Sequence, residues 1–331
     1  MSKKKVLICG ATGFIGRNMV EQLSLNPNYE IHAVRFNRPE YKFDESANPI
    51  VWHQADLRSP EDVKRVVSNK DIIIQAAATT SGAKDIVSKP YIHVTDNAVM
   101  NSLLLRESFE QNVKHFVFFS CTVMYQSSEF GLEENDWNGG DEIHPRYFGV
   151  GNTKVYVEKM LEFFSRISDM KTTAIRHSNI YGPYDKFDLE KSHVFGATVT
   201  KSMLAEEKLS VWGTGEEERD LLHVNDLVSF VNATIENQKE KYRLYNCGYG
   251  EKISIKDLVD LIIRATGKNI KIEHDLSQPT IKTSLYLNCT LAEKELGWKP
   301  KVNIVDGINA TVNWWKENID PNTLQIKQKE H

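Results

Sequence analysis

The chain has 331 residues, 40% of them hydrophobic, and a formal net charge of −4. That length can bury a sizeable core in two domains or one large α/β unit, and the charge gives no support for nucleic-acid binding. No apolar stretch approaches the roughly 20 residues that span a bilayer, so no membrane partner and a soluble, cytoplasmic protein are expected.

In chain order, the run Val6-Leu7-Ile8-Cys9 breaks into Gly10-Ala11-Thr12-Gly13-Phe14-Ile15-Gly16 and then an amphipathic stretch, which reads as strand, tight turn and helix. Gly10 permits the turn, Gly13 lets backbone N–H groups approach a pyrophosphate, and Gly16 lets the helix pack closely on the strand. A dinucleotide is expected on this turn, with Thr12, Phe14 and Ile15 beside the glycines; a turn that merely needs positive φ is the plainer reading. Further apolar runs at 31–34, 50–54, 71–76, 116–119 and 173–176 alternate with helical patterns at 14–25, 60–68, 96–111 and 152–168. Such alternation implies βαβ units and an α/β fold, a doubly wound parallel sheet of the Rossmann kind with a smaller C-terminal substrate domain. The expected division is a dinucleotide-binding domain over 1–180, to which 221–237 returns, a substrate domain over 181–320, and a polar, disordered tail over 321–331. The patterns at 96–111 and 152–168 carry apolar residues on more than one face, which fits a helix-paired homodimer or simple burial.

Arg35 and Arg38 follow the second strand, where an acidic residue would bind a ribose 2′-hydroxyl and arginine suits a 2′-phosphate. NADP is therefore favoured over NAD, unless both are solvated loop charges. Asp56 and Leu57 close the third strand where an adenine edge would lie, and Ala76, Ala77 and Ala78 offer small side chains where the cofactor would cross the next one. The four cysteines, Cys9, Cys121, Cys247 and Cys289, are widely spaced and read as free thiols. No His, Cys, Asp or Glu cluster has metal-ligand spacing, so no metal is expected.

The GATGFIG opening, Phe119-Ser120-Cys121, Asn179-Ile180-Tyr181-Gly182-Pro183, Ser192-His193-Val194, Val211-Trp212-Gly213-Thr214-Gly215, Arg219-Asp220-Leu221-Leu222-His223-Val224-Asn225-Asp226 and Leu296-Gly297-Trp298 run through nearly the whole length. On these motifs the chain resembles the extended short-chain dehydrogenases/reductases, and within them the GDP-L-fucose synthase family. The resemblance implies a nucleotide-sugar substrate, a 4-keto-6-deoxy hexose on GDP first of all. Protons beside its ketone are exchanged, and NADPH then reduces the ketone. It puts Cys121 and His193 in the proton-exchange roles, to which a thiol and an imidazole with shifted pKa values are suited. Counted back from Tyr125, Cys121 falls instead where many relatives keep a Ser or Thr that bonds the ketone, and both posts stay open.

In this superfamily a tyrosine four residues before a lysine protonates the reduced carbonyl, while the lysine holds the cofactor ribose. Lys154 fits the lysine, but its partner position is Val150, and no tyrosine of the chain has a lysine four residues later. Tyr147 reaching in from before the helix, another proton donor, loss of the reductive step and an engineered substitution are the readings left open. Ser120, Asn179, Trp212 and Arg219 are expected at the substrate. Arg219 would clamp the diphosphate or pair with Glu216, Glu217 or Glu218, and Trp212 would stack on a base or fill the core. His223 reads as a structural residue, and the helical pattern at 253–266 as a cover over the sugar nucleotide. Relatives keep an arginine shortly after the proline of Gln278-Pro279, where this chain has Ser284 with Lys282 nearby, so the nucleotide is less fixed than the reaction class. A cofactor-binding protein with impaired chemistry is the competing class.

Overall fold

The computed structural model describes residues 3–41, 48–79, 91–189, 192–277 and 283–327. Gln278, Pro279 and Lys282, and the last four residues of the expected tail, lie outside these. In chain order the elements of the first half are β1 (Lys4–Cys9), α1 (Phe14–Leu23), β2 (Tyr29–Arg35), β3 (Val51–Gln54), α2 (Pro60–Val67), β4 (Ile72–Gln75), α3 (Ile92–Glu110), β5 (His115–Phe119), α4 (Phe148–Ile167), β6 (Lys171–His177) and β7 (Asn179–Tyr181). The second half adds α5 (Val194–Leu204), β8 (Lys208–Trp212), β9 (Glu218–His223), α6 (Val224–Asn237), β10 (Tyr242–Cys247), β11 (Lys252–Ser254), α7 (Ile255–Thr266), β12 (Lys271–Asp275), α8 (Thr290–Leu296) and α9 (Ile304–Asn318).

Seven parallel strands form the main sheet in the order β10-β6-β5-β4-β1-β2-β3. Strands buried on both faces favour apolar residues in succession, which is why residues 6–9 of β1 and 72–74 of β4 read as unbroken runs. Val6 and Ile8 point into one core with α1, α6 and Trp298, and Leu7 and Cys9 into the other with α2, α3 and α4. The direction of winding reverses between β1 and β4, and ligands bind outside the carboxyl ends of strands at such a reversal.

The rest of the chain builds a third core around a three-stranded sheet, β11-β9-β7, and a two-stranded one, β12-β8, covered by α5, α7 and α9. Two buried carboxylates tie this region to the sheet. Asp220 accepts the N–H groups of Tyr249 (2.8 Å), Gly250 (3.2 Å) and Leu287 (3.1 Å), and Asp226 accepts those of Lys301 (3.0 Å) and Val302 (2.9 Å). A third tie is aromatic: the Arg17 guanidinium lies 4.0 Å from the Tyr41 ring centroid and 3.8 Å from that of Tyr184, which packs edge-on against Trp314 of α9.

The expected tail begins later than its polarity suggests. Asp320 accepts the Asn322 N–H (2.9 Å) and the Thr323 hydroxyl (3.1 Å), Leu324 packs on the third core, and Ile326 bridges back to Ile319. An Asp-capped turn, one apolar anchor and a backbone bridge hold residues 321–327, which were expected to be disordered.

Candidate active site

The site is built from two clusters on the carboxyl edge of the main sheet. At the first, β1 ends and Gly10 (φ +72°) turns the chain so tightly against β4 that a Cβ there would stand 2.7 Å from the Ala77 Cα. At Gly16 a Cβ would stand 2.1 Å from the Gly10 carbonyl oxygen. Gly13 caps α1 with no side-chain hydrogen bond, and no acidic residue lies in the first turn. The free amides of that turn and the positive helix end thus face the open side of the loop. Bulk is excluded and N–H donors are presented, which fits a dinucleotide pyrophosphate. A nicotinamide group bound there would supply or accept hydride.

Around this turn, Ala76 donates its N–H to the Cys9 carbonyl (3.2 Å) and Ala77 to the Gln75 Oε1 (3.2 Å), with Ala78 exposed beyond them. Arg38 donates to the Thr12 carbonyl at 3.2 Å, and the Arg35 Nε meets Glu40 at 3.2 Å. Both arginines border the loop. Asp56 is taken up elsewhere: the Arg58 fork donates to both of its oxygens at 2.9 Å and holds its carboxyl below the usual range, while Leu57 is buried.

The second cluster gathers the chemistry. The Lys154 Nζ donates to the Phe119 carbonyl at 2.6 Å and lies 4.6 Å from the Phe118 ring centroid. Burial lowers its pKa, against the opposing pull of Cys121 and Glu158. Cys121 feels the reverse, its thiol raised by burial and drawn back by the Lys154 charge and a Val123 N–H. His177, at the end of β6, donates from Nδ1 to the Ser178 carbonyl (2.7 Å), its ring 6.2 Å from that of Phe119. Burial pushes its imidazole down to about 4 against that bond, and the charges of Lys154 and His193 push further. His193 caps the start of α5; desolvation and then Lys186 hold it below the ordinary histidine range. Lys154 thus stands within electrostatic reach of both Cys121 and His177, and His193 within that of His177.

Not every expected residue joins them. Ser120 is buried and donates at 2.5 Å to Glu158, which pairs with Arg176 at 2.7 Å inside the protein. Arg176 also donates to the Tyr125 hydroxyl (3.1 Å), which donates to Asn246 (2.8 Å). The Ser120 hydroxyl thus belongs to a buried network, not to the open face. Tyr147 precedes α4 and, like Cys121, flanks the small core around Tyr125 and Trp137; its ring lies within electrostatic reach of Arg219. Arg219 donates to the carbonyls of Glu218 (2.7 Å) and Thr283 (2.6 Å), and desolvation lowers its pKa. Asn179 opens β7 on the Asp220 carbonyl at 3.4 Å. Trp212 stands half exposed at the end of β8 with the Lys201 Nζ 5.6 Å from its ring, and among the described residues no contact joins it to the Cys121 cluster.

Val150 lies in the first turn of α4 and lines a small cavity with His93, Asn97, Phe118 and Lys154. Sequence reasoning missed His177 and His93. The available signal for His177 was a titratable residue directly ending an apolar strand at the ligand-binding edge. Among the described residues no group of three or more His, Cys, Asp or Glu side chains could hold a metal ion, and no helix is long and apolar enough to cross a membrane.

A glycine-cradled helix N-terminus at the reversal of a doubly wound sheet, with a lysine, a thiol and imidazoles on the same edge, defines a dinucleotide-binding enzyme fold. Residues 6–248 match the NAD dependent epimerase/dehydratase family, and the chain belongs to that family. Similar proteins include a GDP-L-colitose synthase of Yersinia pseudotuberculosis, 26% identical over 94% of this chain and 97% of its own, and a GDP-L-fucose synthase of Azorhizobium caulinodans, 25% identical over 94% and 96%. Among solved structures, the UDP-glucose 4-epimerase of Thermotoga maritima with UDP-glucose aligns with a TM-score of 0.82 at 25% identity, covering 95% of this chain and 99% of that one.

Proposed function

We propose that the chain is an NADP-dependent nucleotide-sugar epimerase/reductase acting on a 4-keto-6-deoxy hexose, with GDP as the favoured nucleotide. It exchanges protons beside the ketone through Cys121 and His193 before the ketone is reduced. The observation that carries this reading is the Lys154 ammonium on the Phe119 carbonyl at the end of β5, two residues before Cys121 and on the sheet edge that also holds the glycine cradle. Lys154 and the N-terminal turn of α1 would hold the dinucleotide, and Arg35 and Arg38 beside the loop favour a 2′-phosphate. Arg219 would face the diphosphate, with Asn179 and Trp212 as further substrate contacts and Tyr147, three residues before Val150, as the hydroxyl reaching in from before α4. The same reading makes the protein a cytoplasmic homodimer paired through α3 and α4.

Incubation with GDP-4-keto-6-deoxymannose and NADPH in deuterium oxide tests it. Deuterium entering the sugar together with NADPH oxidation is expected, and exchange at the parent rate in both Cys121→Ser and His193→Gln would remove the epimerase assignment. Val150, which has no proton to give, favours a second reading in which exchange occurs without reduction. Exchange without NADPH oxidation in the parent, with oxidation appearing in Val150→Tyr, would select it.

A further inference from the structure

The first turn of α1 touches more than the glycine loop. Arg17 follows Gly16, and its guanidinium stands between two rings, 4.0 Å from the centroid of Tyr41 and 3.8 Å from that of Tyr184, with Nε on Glu21 at 3.2 Å. Each ring belongs to a different place. Tyr41 donates its hydroxyl to the Ala11 carbonyl in the glycine loop at 2.9 Å, whereas Tyr184 lies on the segment that leads from β7 to α5, the helix that His193 caps. Asn18, buried beside Arg17, joins the same two places: its Nδ2 donates to the Phe14 carbonyl at 3.0 Å and to the Pro183 carbonyl at 2.9 Å. The segment is strained where it is gripped. Tyr184 has φ +68°, a region that bulky side chains avoid, so its surroundings must hold it there. Just beyond it, a Cβ at Gly196 of α5 would stand 2.3 Å from the Lys186 carbonyl oxygen, and the Thr200 hydroxyl of α5 donates to the Phe187 carbonyl at 2.7 Å. Contacts therefore run unbroken from the glycine loop to the helix that starts at His193.

We infer that Arg17 is a positioning residue: with Asn18 it ties the segment before His193 to the dinucleotide loop, so that filling the loop steadies the segment before the sugar arrives. This deepens the reading in which His193 acts on the sugar, and rests on it. A cation between two aromatic faces attracts both, so neither ring leaves without losing that contact. Occupancy of the free amides of the α1 turn costs the loop its freedom, and order at one end of a contact chain lowers the cost of order at the other. The coupling is reciprocal. A sugar nucleotide that orders the segment tightens the hold on the dinucleotide by the same factor.

Amide hydrogen exchange of the full chain, read by mass spectrometry, tests this without any sugar. Adding NADP to the parent, with NAD in a parallel sample, is expected to slow exchange at 11–16 and, by about fivefold, at 183–187 and 194–199. In Arg17→Ala and in Tyr184→Gly the slowing at 11–16 should persist while that at 183–187 and 194–199 is lost. Glycine adopts φ +68° without strain, so the second variant removes the ring and spares the fold. Tyr184→Phe, which keeps the ring, should behave as the parent. A residue that only holds structure would raise exchange equally with and without dinucleotide, and that result overturns the assignment. So does slowing confined to the glycine loop in the parent, or slowing at both segments in both variants. No slowing anywhere with either dinucleotide overturns the dinucleotide reading and the assignment with it. The expected pattern in a parent that neither exchanges deuterium into the 4-keto sugar nor turns it over supports the tie and overturns the functional reading alone.

Discussion

Asp185 carries an unusual burden for a single carboxyl group. Its Oδ1 accepts the Lys186 N–H at 2.7 Å, its Oδ2 is buried with no hydrogen-bond partner among the described residues, and burial raises its pKa to about 7. An unfolded aspartate titrates near pH ~4, so between there and about 7 the folded chain binds the proton more tightly and stability falls as pH rises, levelling off above. Asp185→Asn should flatten that slope and raise the melting temperature at pH 8 relative to the parent; an unchanged slope in thermal melts at pH 5 and pH 8 would count against it. At this scale the sequence is legible where a position follows from spacing alone, as at Lys154 and Val150, one helical turn apart and lining one cavity. It is opaque where a role depends on which way a side chain points. Ser120 beside Cys121 looks as if it faces the substrate, yet it turns inward to Glu158, and Asp220 and Asp226, near Arg219 in sequence, are clamps on backbone N–H groups.

The elements were largely readable, and their misread ends have physical causes. The helical pattern at 152–168 starts four residues late because Gly149 and Gly151 are poor helix formers. Tertiary contact overrides that propensity: a Cβ at Gly149 would stand 2.8 Å from Val94, and one at Gly151 would stand 3.1 Å from Ile143, so the glycines allow close packing in the first turn. β10 was missed because an edge strand, half exposed along Tyr242–Cys247, lacks the unbroken apolar run of β4. The β1–α1 unit was read correctly, since Gly13 and Gly16 are required by contacts within the unit and Gly10 by its positive φ. Gly16→Ala would drive a Cβ into the Gly10 carbonyl, which no side-chain rotation relieves. It should cost about 1–3 kcal/mol in urea unfolding and abolish measurable dinucleotide binding. Binding at parental affinity would show that the loop yields.

For the whole molecule, the α3–α4 pair leaves Val99, Tyr156, Phe163 and Ile167 exposed, which is costly in water and fits a second copy of the same face. The parent should run as a dimer by light scattering and Phe163→Glu as a monomer; a monomeric parent would mean the apolar face is simply tolerated.

The ring stack through Arg17 joins parts of the molecule that seem to have separate duties. Arg17 follows Gly16 directly, Tyr41 donates its hydroxyl to the Ala11 carbonyl at 2.9 Å, and Tyr184 rests on Trp314. A continuous line of contacts thereby runs from the glycine loop to an indole in the C-terminal helix. The part of the tryptophan emission that a Trp314→Phe variant loses, out of six tryptophans, is thus an unlabelled optical gauge of the glycine loop.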